Sequence, residues 1–532
     1  MSAPTQIDEP PQSPAVNEPP ASAYDAVPYS VSAFPQTHPD RLATIATLFG
    51  MNPVPPDRCR VLELGCAQGG NIIPMALAQP HSQFVGIDLS SRQIADALAV
   101  VRELGLSNVQ CKDINITDVG KDFGTFDYIL CHGVYSWVPP AVQEAILEIC
   151  RRNLAPHGVA YISYNALPGW HARGAIREMM WYHTGRFTDP ADRLNAARGL
   201  LAFLLKSMPS RDGGYSALVR QELVVLAQTP DTYLLHEHLE EFNEPLYFHQ
   251  FIERAGDKGL QYLGEAQVST MMASRFGPET ETTLRQISPD LHHMEQYMDF
   301  LRNRMFRQTL LVHADVQLDY TLRPQEAMRL HIASPAKPAV PDCDIVSPLP
   351  QEFRAAGELK LTTQDPLMKA AMVVLSEKWP LAISFDDLIA AARQKLGTAI
   401  PLVSDPAREP NDLAIRLLNC YTLGLLEFSL TRPTFVLELS QCPLASPYAR
   451  LRAKQSGKVV NMRLESIQLT PSLREFIPHL DGRHDRASLV DLVKGWLDKQ
   501  PPAEKDAAPA ELAGEFVDLA LKGLARLALL VA

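Results

Sequence analysis

Five residues in the first quarter of the chain have types and an order that suit a nucleoside ligand: Glu63, Gly65, Gly69, Asp88 and Asp113. The first three lie in Val61-Leu-Glu-Leu-Gly-Cys-Ala-Gln-Gly-Gly-Asn71, an apolar run that gives way to glycines. Glycine lets a backbone turn tightly and a ligand come close to it. A dinucleotide fingerprint would place another glycine where Ala67 stands and set a pyrophosphate on the following helix. Here an acid, Glu63, precedes the loop by two residues, which suits a cationic ligand without phosphate. Asp88 follows Gly65 by 23 residues, close to the ~20-residue offset at which an acid meets a ribose diol. Asp113, in Cys111-Lys-Asp-Ile-Asn115, can accept from an adenine amino group while Ile114 packs on the ring. Taken singly, a Gly-rich turn or an Asp after a strand often serves as a turn or a helix cap. All five in order, at the ends of three consecutive strands, point to an adenosine with a cationic tail.

Such an order requires a parallel sheet. Apolar runs at 60–65, 83–88, 108–116, 126–131 and 158–163 alternate with helical stretches at 72–78, 91–104 and 139–154, the pattern of an α/β domain. Their continuous apolarity means that both faces are buried. Ligands of open α/β sheets bind at the carboxyl ends of the strands, where the five residues fall. After Trp170, apolar spacing of three and four predicts helices over 171–185, 191–208, 213–228 and 246–257. Residues 306–334 are strand-like, and 335–350 form a Pro-rich linker stretch. Helices at 366–378, 385–396 and 413–423, followed by strands at 426–430 and 435–439, suggest a winged helix. The region 469–532, with helices at 487–497 and 512–527, is a weaker echo of it or a cap. The expected fold is therefore α/β, a Rossmann-like sheet followed by a helical domain and winged-helix-like C-terminal units. The expected boundaries are a Pro-rich tail over 1–37 with its Tyr24 to Phe34 end able to dock, a nucleoside-binding domain over 38–188, and a helical domain over 189–334 covering the substrate. A linker over 335–358 and C-terminal units over 359–442 and 443–532 follow.

The motif Glu63 to Gly69, the strand-two acid Asp88 and the pair Asp113-Ile114 resemble those of class I S-adenosylmethionine (AdoMet) methyltransferases. Cys131-His-Gly-Val-Tyr-Ser-Trp-Val-Pro139, Ser163-Tyr-Asn-Ala-Leu-Pro-Gly-Trp170, Tyr233-Leu-Leu-His-Glu-His-Leu-Glu240 and Pro245-Leu-Tyr-Phe248 are similar to the subgroup with a methyltransferase regulatory domain. That subgroup includes bacterial lysine methyltransferases of outer-membrane proteins. The resemblance covers roughly 38–334 and, in architecture alone, the C-terminal units. It implies AdoMet as cofactor, with Glu63, Gly65, Cys66, Ala67, Gly69 and Asn71 around the methionine end and Asp88 and Leu89 at the ribose. Asp113 and Ile114 would meet the adenine, and Cys131 and His132 would form the rim beside the sulfonium. A protein lysine is the implied acceptor.

Methyl transfer from a sulfonium needs alignment and exclusion of water more than a catalytic triad. An amine acceptor must be neutral, which an aromatic pocket favours by penalising the ammonium. Tyr135, Trp137, Tyr164 and Trp170 follow strands four and five and could build that pocket; equally, the tryptophans could be anchors for the helical domain. His132 and Asn165 are candidate bases or hydrogen-bonding partners of the acceptor, or turn formers. A small amine, sugar or lipid-linked acceptor also fits, as does a binder without turnover.

Acidic residues outnumber basic ones, 61 to 49, for a formal charge of −12, so bulk electrostatics do not favour nucleic acid or an anionic membrane. No amino-nucleobase or cytosine-C5 methyltransferase motif follows strand four. The candidate third helix of the winged unit carries Asp412 and Arg416 without a basic stripe, so a protein contact, including a homodimer, is expected there. The eight cysteines show no C-x-x-C pair, and His236-Glu-His238 and His292-His293 lack metal-site spacing; no metal is expected. No apolar run reaches the ~18 residues of a membrane span and no leader is discernible, so a soluble cytoplasmic protein is expected.

Overall fold

The computed structural model describes residues 32–208, 213–398, 408–498 and 509–532. Most of the expected tail, including Tyr24, lies outside them.

Helix α1 (Pro39–Leu48) leads into the alternating elements β1 (Arg60–Leu64), α2 (Ile72–Ala78), β2 (Gln83–Asp88), α3 (Ser91–Leu104), β3 (Val109–Asp113), β4 (Phe126–Cys131), α4 (Pro140–Asn153) and β5 (Leu154–Asn165). Local chemistry sets their ends. Ser90 caps α3 by accepting from the Gln93 amide at 3.2 Å, and Gly105 closes it in the left-handed conformation. From Val61 to Leu64, β1 is wholly buried, as its unbroken apolar run requires. Four helices then intervene, α5 (Trp170–Thr184), α6 (Pro190–Ser207), α7 (Gly214–Gln228) and α8 (Asp231–His238), packed around Ile176, Leu201, Leu223 and Leu234. After α9 (Phe248–Asp257) the chain returns to the sheet as β6 (Leu260–Glu265), passes through α10 (Pro278–Ile287) and α11 (Leu291–Arg302), and closes with β7 (Phe306–His313).

The sheet has seven strands in the order β3-β2-β1-β4-β5-β7-β6, parallel except for β7, which runs antiparallel to both neighbours. The stretch expected as a helical unit thus supplies the last two strands of the sheet. Strand β6 escaped sequence reading because Leu260–Glu265 is short and follows directly on an amphipathic helix. One ion cluster pins this edge: Arg307, fully buried on β7, bonds Glu265 on β6 at 2.7 Å and Glu295 and Asp299 on α11 at 3.0 and 2.8 Å.

In the C-terminal part, β8 (His331–Ala333) pairs antiparallel with β12 (Ile383–Ser384) and β13 (Glu427–Ser429). Helices α12 (Pro366–Lys378), α13 (Phe385–Leu396) and α14 (Arg408–Leu423) pack on them. The Pro-rich stretch before them holds a small antiparallel sheet, β9 (Lys337–Pro338), β10 (Gln351–Arg354) and β11 (Lys360–Thr363). The proline sits on the two-residue edge strand, where its missing N–H costs little. Phe435–Leu439, expected as a wing strand, is not a strand: Val436 and Leu437 pack on the last unit and the Val436 amide donates to Leu530 O. That last unit, α15 (Pro447–Gln455), β14 (Lys458–Val460), β15 (Ser466–Gln468), α16 (Pro471–Phe476), α17 (Arg486–Leu497) and α18 (Pro509–Arg526), has its own apolar core. Asp40 on α1 accepts from the Leu430 and Thr431 amides at 2.9 and 2.8 Å, fastening the C-terminal part to the sheet domain.

Candidate active site

Strand order reverses between β1 and β4, and the carboxyl ends of β1, β2, β3 and β4 open there, as a ligand crevice of this fold requires. The β1–α2 loop follows. Gly65 and Gly69 have φ of +76° and +71°, and a Cβ on either would lie 2.6 Å from Val134 or 2.5 Å from Ile73. Ala67 also has positive φ, 48°, a conformation that costs an L-residue roughly 1–2 kcal/mol. Its amide donates to Asp88 Oδ2 at 2.8 Å, and Asp88 Oδ1 accepts from the Ser90 amide at 2.9 Å. Asp88 therefore braces the loop as well as facing the crevice.

Glu63 is buried. Its Oε1 accepts from Asn71 Nδ2 at 2.7 Å, while Oε2 has no partner among the described residues. Burial pushes its carboxyl up to about 8; Asn71 opposes the shift and the charge of Asp88 adds to it. A buried acceptor with an unused oxygen fits a ligand ammonium, and together with the glycine loop and Asp88 it passes the test for the methionine and ribose ends of AdoMet. At the adenine end, Asp113 Oδ2 is bonded by Ser91 Oγ, Ile114 is half-buried and Leu89 is exposed. Cys66 is buried beside Gly86, whose missing side chain makes room for its sulfur. The side chain of Cys131 is fully buried in the core, so the rim there is formed by main chain and by the next residue.

That residue is His132. Its Nδ1 lies 2.8 Å from Tyr161 Oη, its ring centroid 3.9 Å from that of Phe34 and 6.0 Å, edge-on, from Phe306. Burial holds the imidazole down to about 4 and the Tyr161 phenol well above its ordinary range, so both are neutral at pH 7. Phe34 belongs to a strap over the crevice: its amide donates to Asn71 Oδ1 at 3.0 Å and Asn71 Nδ2 donates to Thr37 Oγ1 at 3.0 Å.

Of the other candidates, Asn165 stands opposite Phe306 in the β5–β7 pairing, and the aromatic ones pack on one another and on Phe251. Tyr135 and Tyr164 are buried against Phe251, the latter stacked at 4.1 Å. Trp137 and Trp170 meet edge-on at 5.8 Å, with the buried His238 stacked on Trp170 at 6.2 Å. Asn165 Nδ2 donates to Asn243 Oδ1 at 2.9 Å, tying β5 to the loop before α9, and its main-chain amide donates to Ser136 Oγ at 2.9 Å, tying β5 to the turn after β4. Of the histidine pairs, the side chain of His236 lies outside the described residues, and His292 packs on Phe248 and Tyr262. Sequence reading missed Phe34, Thr37, Tyr161 and Phe306 at the rim. Phe34 stood in a segment taken for tail, and Tyr161 and Phe306 occupy ordinary strand positions without a motif.

Three family models match the chain: a methyltransferase domain over residues 62–160, a "Predicted methyltransferase regulatory domain" over 230–313, and a "PKMT, C-terminal winged helix domain" over 442–529. The last falls on the unit that sequence reading took for the weaker echo. The chain is 36% identical over 489 residues to protein RP789 of Rickettsia prowazekii, across 90% of this chain and 86% of that one. It is similar to the solved structure of PKMT2 from Rickettsia typhi, with 31% identity, a TM-score of 0.83, and coverage of 95% of this chain and all of that one. The structure of PKMT2 in complex with AdoHcy aligns with a TM-score of 0.85 at 30% identity. With the buried acid, the braced loop and the strand-two aspartate at the switch point, these matches establish that the chain belongs to the AdoMet-dependent class I methyltransferases that carry a regulatory domain and a PKMT-type winged helix.

Proposed function

We propose that this methyltransferase modifies lysine side chains of a protein acceptor, and that the amine reaches the cofactor across the rim formed by Phe34, His132, Tyr161 and Phe306. The observation that carries this reading is the makeup of that rim, a buried imidazole set between two phenyl rings and a phenol. Among the described residues no carboxylate bonds His132, burial holds its imidazole well below its ordinary range, and two phenyl rings flank it. Such surroundings disfavour an ammonium and so release the lone pair of an approaching lysine, while the aromatic faces still attract the methylated cation. AdoMet, when bound, supplies a methyl group on a sulfonium leaving group. The chain's own part is to bind through Glu63, Gly65, Gly69, Asp88 and Asp113, to align the amine and to keep water out with the Phe34 strap. Cys66, Ala67, Asn71, Leu89 and Ile114 complete the cofactor wall, with Cys131 giving its main chain. Trp137, Trp170, Tyr135 and Asn165 act at one remove in this reading, by holding the β4 and β5 ends in place.

Similarity to PKMT2 over nearly the whole chain supports a protein acceptor. The eight free thiols suit a reducing compartment, here the bacterial cytoplasm; among the described residues no helix is long and apolar enough to cross a membrane. The decisive experiment is transfer of labelled methyl from AdoMet into a fractionated bacterial lysate, comparing wild type with Asp88→Ala. Base-stable label in discrete protein bands, recovered as methyl-lysine, is expected. Label confined to small molecules would refute a protein acceptor.

A further inference from the structure

The edge of the sheet that carries the transfer site continues past β5 into a second opening. Phe306 pairs with Asn165 at the end of β5, and Glu265 ends β6 at the same edge. A cleft of about 450 Å3 lies there, lined among others by Arg275, Arg302, Arg304, Gln267, Gln308 and Phe306. Phe306 also faces His132, so the cleft and the transfer rim share a wall.

Its charges are unevenly satisfied. Arg304 bonds Glu265 at 3.1 Å and approaches Asp299 at 3.7 Å. Arg275 donates to Leu423 O at 3.0 Å and Arg302 to Thr270 O, both neutral acceptors, and neither arginine has a carboxylate partner among the described residues. Four arginines, counting Arg307, thus surround three carboxylates. One of these, Glu295, is itself held up to about 7 by burial. Positive charge is left over where the cluster opens to solvent, and burial and the neighbouring Arg304 hold Arg302 below its ordinary range. A guanidinium carries five donors and fits a carboxylate in bidentate fashion. Gln267 and Gln308 make no side-chain hydrogen bonds among the described residues, which leaves their amides able to pair with a peptide main chain.

We propose that this cleft selects the acceptor: an aspartate or glutamate of the acceptor polypeptide, a few residues from the target lysine, seats on Arg275 and Arg302 while the lysine reaches His132. This rests on the protein-lysine reading above and adds a sequence preference to it. An extended chain advances ~3.3 Å per residue, so the preferred acid falls at a narrow set of offsets on one side of the lysine.

The test uses the full-length protein, labelled AdoMet and lysine peptides carrying Asp or Glu, or Asn or Gln, at each of six positions on either side. The expected result is a kcat/KM about tenfold higher for acids at a narrow range of offsets, with that ratio falling toward one in Arg275→Gln and Arg302→Gln. Should Arg302→Gln fail to fold, Arg275→Gln carries the test, because that side chain is exposed. Methyl-lysine formed with no acid preference, or with a preference unchanged in the variants, overturns the proposal and leaves the lysine reading standing. Competition by a single-stranded RNA oligomer but not by an acidic peptide also overturns it. No methyl-lysine with any peptide or lysate protein refutes the lysine reading itself, and the cleft proposal with it.

Discussion

In the proposed cofactor site, Glu63 should make binding depend on pH, in a direction set by its burial. Its carboxyl is held at about 8 by burial in the ligand-free protein, whereas an ammonium beside Oε2 requires the carboxylate. At pH 7 roughly one molecule in ten carries the charge, and at pH 6 roughly one in a hundred, each decade being worth about 1.4 kcal/mol. The ligand's own α-amino group loses its proton near pH 8 as well, which offsets part of the effect. Binding must therefore release most of one proton at pH 7, and affinity should fall about 20-fold from pH 8 to pH 6. Titration calorimetry across this range, in two buffers of different ionisation enthalpy, reads both the slope and the proton. Glu63→Gln should flatten the slope and weaken binding at pH 8 by about 1.5–3 kcal/mol, the worth of a charge-assisted hydrogen bond. Stability runs the opposite way. Because the folded carboxyl titrates above its unfolded value, the stability it contributes is full below the unfolded value and is lost as pH rises through about 8. The ligand-free wild type should thus melt lower at pH 8.5 than at pH 6, and Glu63→Gln should lose this dependence. An affinity that is flat from pH 6 to 8, or a slope that survives in Glu63→Gln, would refute the reasoning.

Asp88→Ala removes the brace on the Ala67 and Ser90 amides together with the proposed acceptor of the ribose hydroxyls; AdoMet affinity should drop roughly 10- to 150-fold by calorimetry, and an unchanged value would place the nucleoside elsewhere. Phe34→Ala uncovers His132 and should cut kcat/KM on a lysine peptide about tenfold, in line with the ~1 kcal/mol of an aromatic pair; an unaltered rate would remove the strap from the site. Arg307→Leu leaves Glu265, Glu295 and Asp299 without their guanidinium, at a cost of about 3–5 kcal/mol in denaturant unfolding; an unchanged midpoint would count against the cluster as the pin of the β6–β7 edge. Trp137→Ala should cost about 3–5 kcal/mol of stability, since the ring is packed edge-on against Trp170. Full stability with impaired methyl transfer would instead put Trp137 back at the acceptor.

The proposed cofactor side was legible in the sequence because its chemistry is local. An acid two residues before a glycine turn, and acids closing the next two strands, are placed by β-strand and turn geometry alone, and the structure sets Glu63, Gly65, Asp88 and Asp113 around one crevice. The orphaned Oε2 of Glu63 and the brace from Asp88 to Ala67 were not legible, since both depend on which side chains crowd the loop. The proposed acceptor rim was hardly legible at all. Tyr135, Trp137 and Trp170 sit a few residues after strand ends and Tyr164 next to the end of β5, yet packing turns them toward Phe251 and the helical segment. The proposed rim is instead assembled from Phe34, His132, Tyr161 and Phe306, which come from the strap, the turn after β4, β5 and β7. No spacing rule links such positions. The antiparallel return of β7 beside β5 brings Phe306 and the arginine cleft to the edge where Asn165 ends. Sequence order alone carries the strand-end acids; only the closing of a seven-stranded sheet across the helical insertion brings aromatic and cationic side chains together at the proposed acceptor rim, because β7 pairs with β5 across well over a hundred positions.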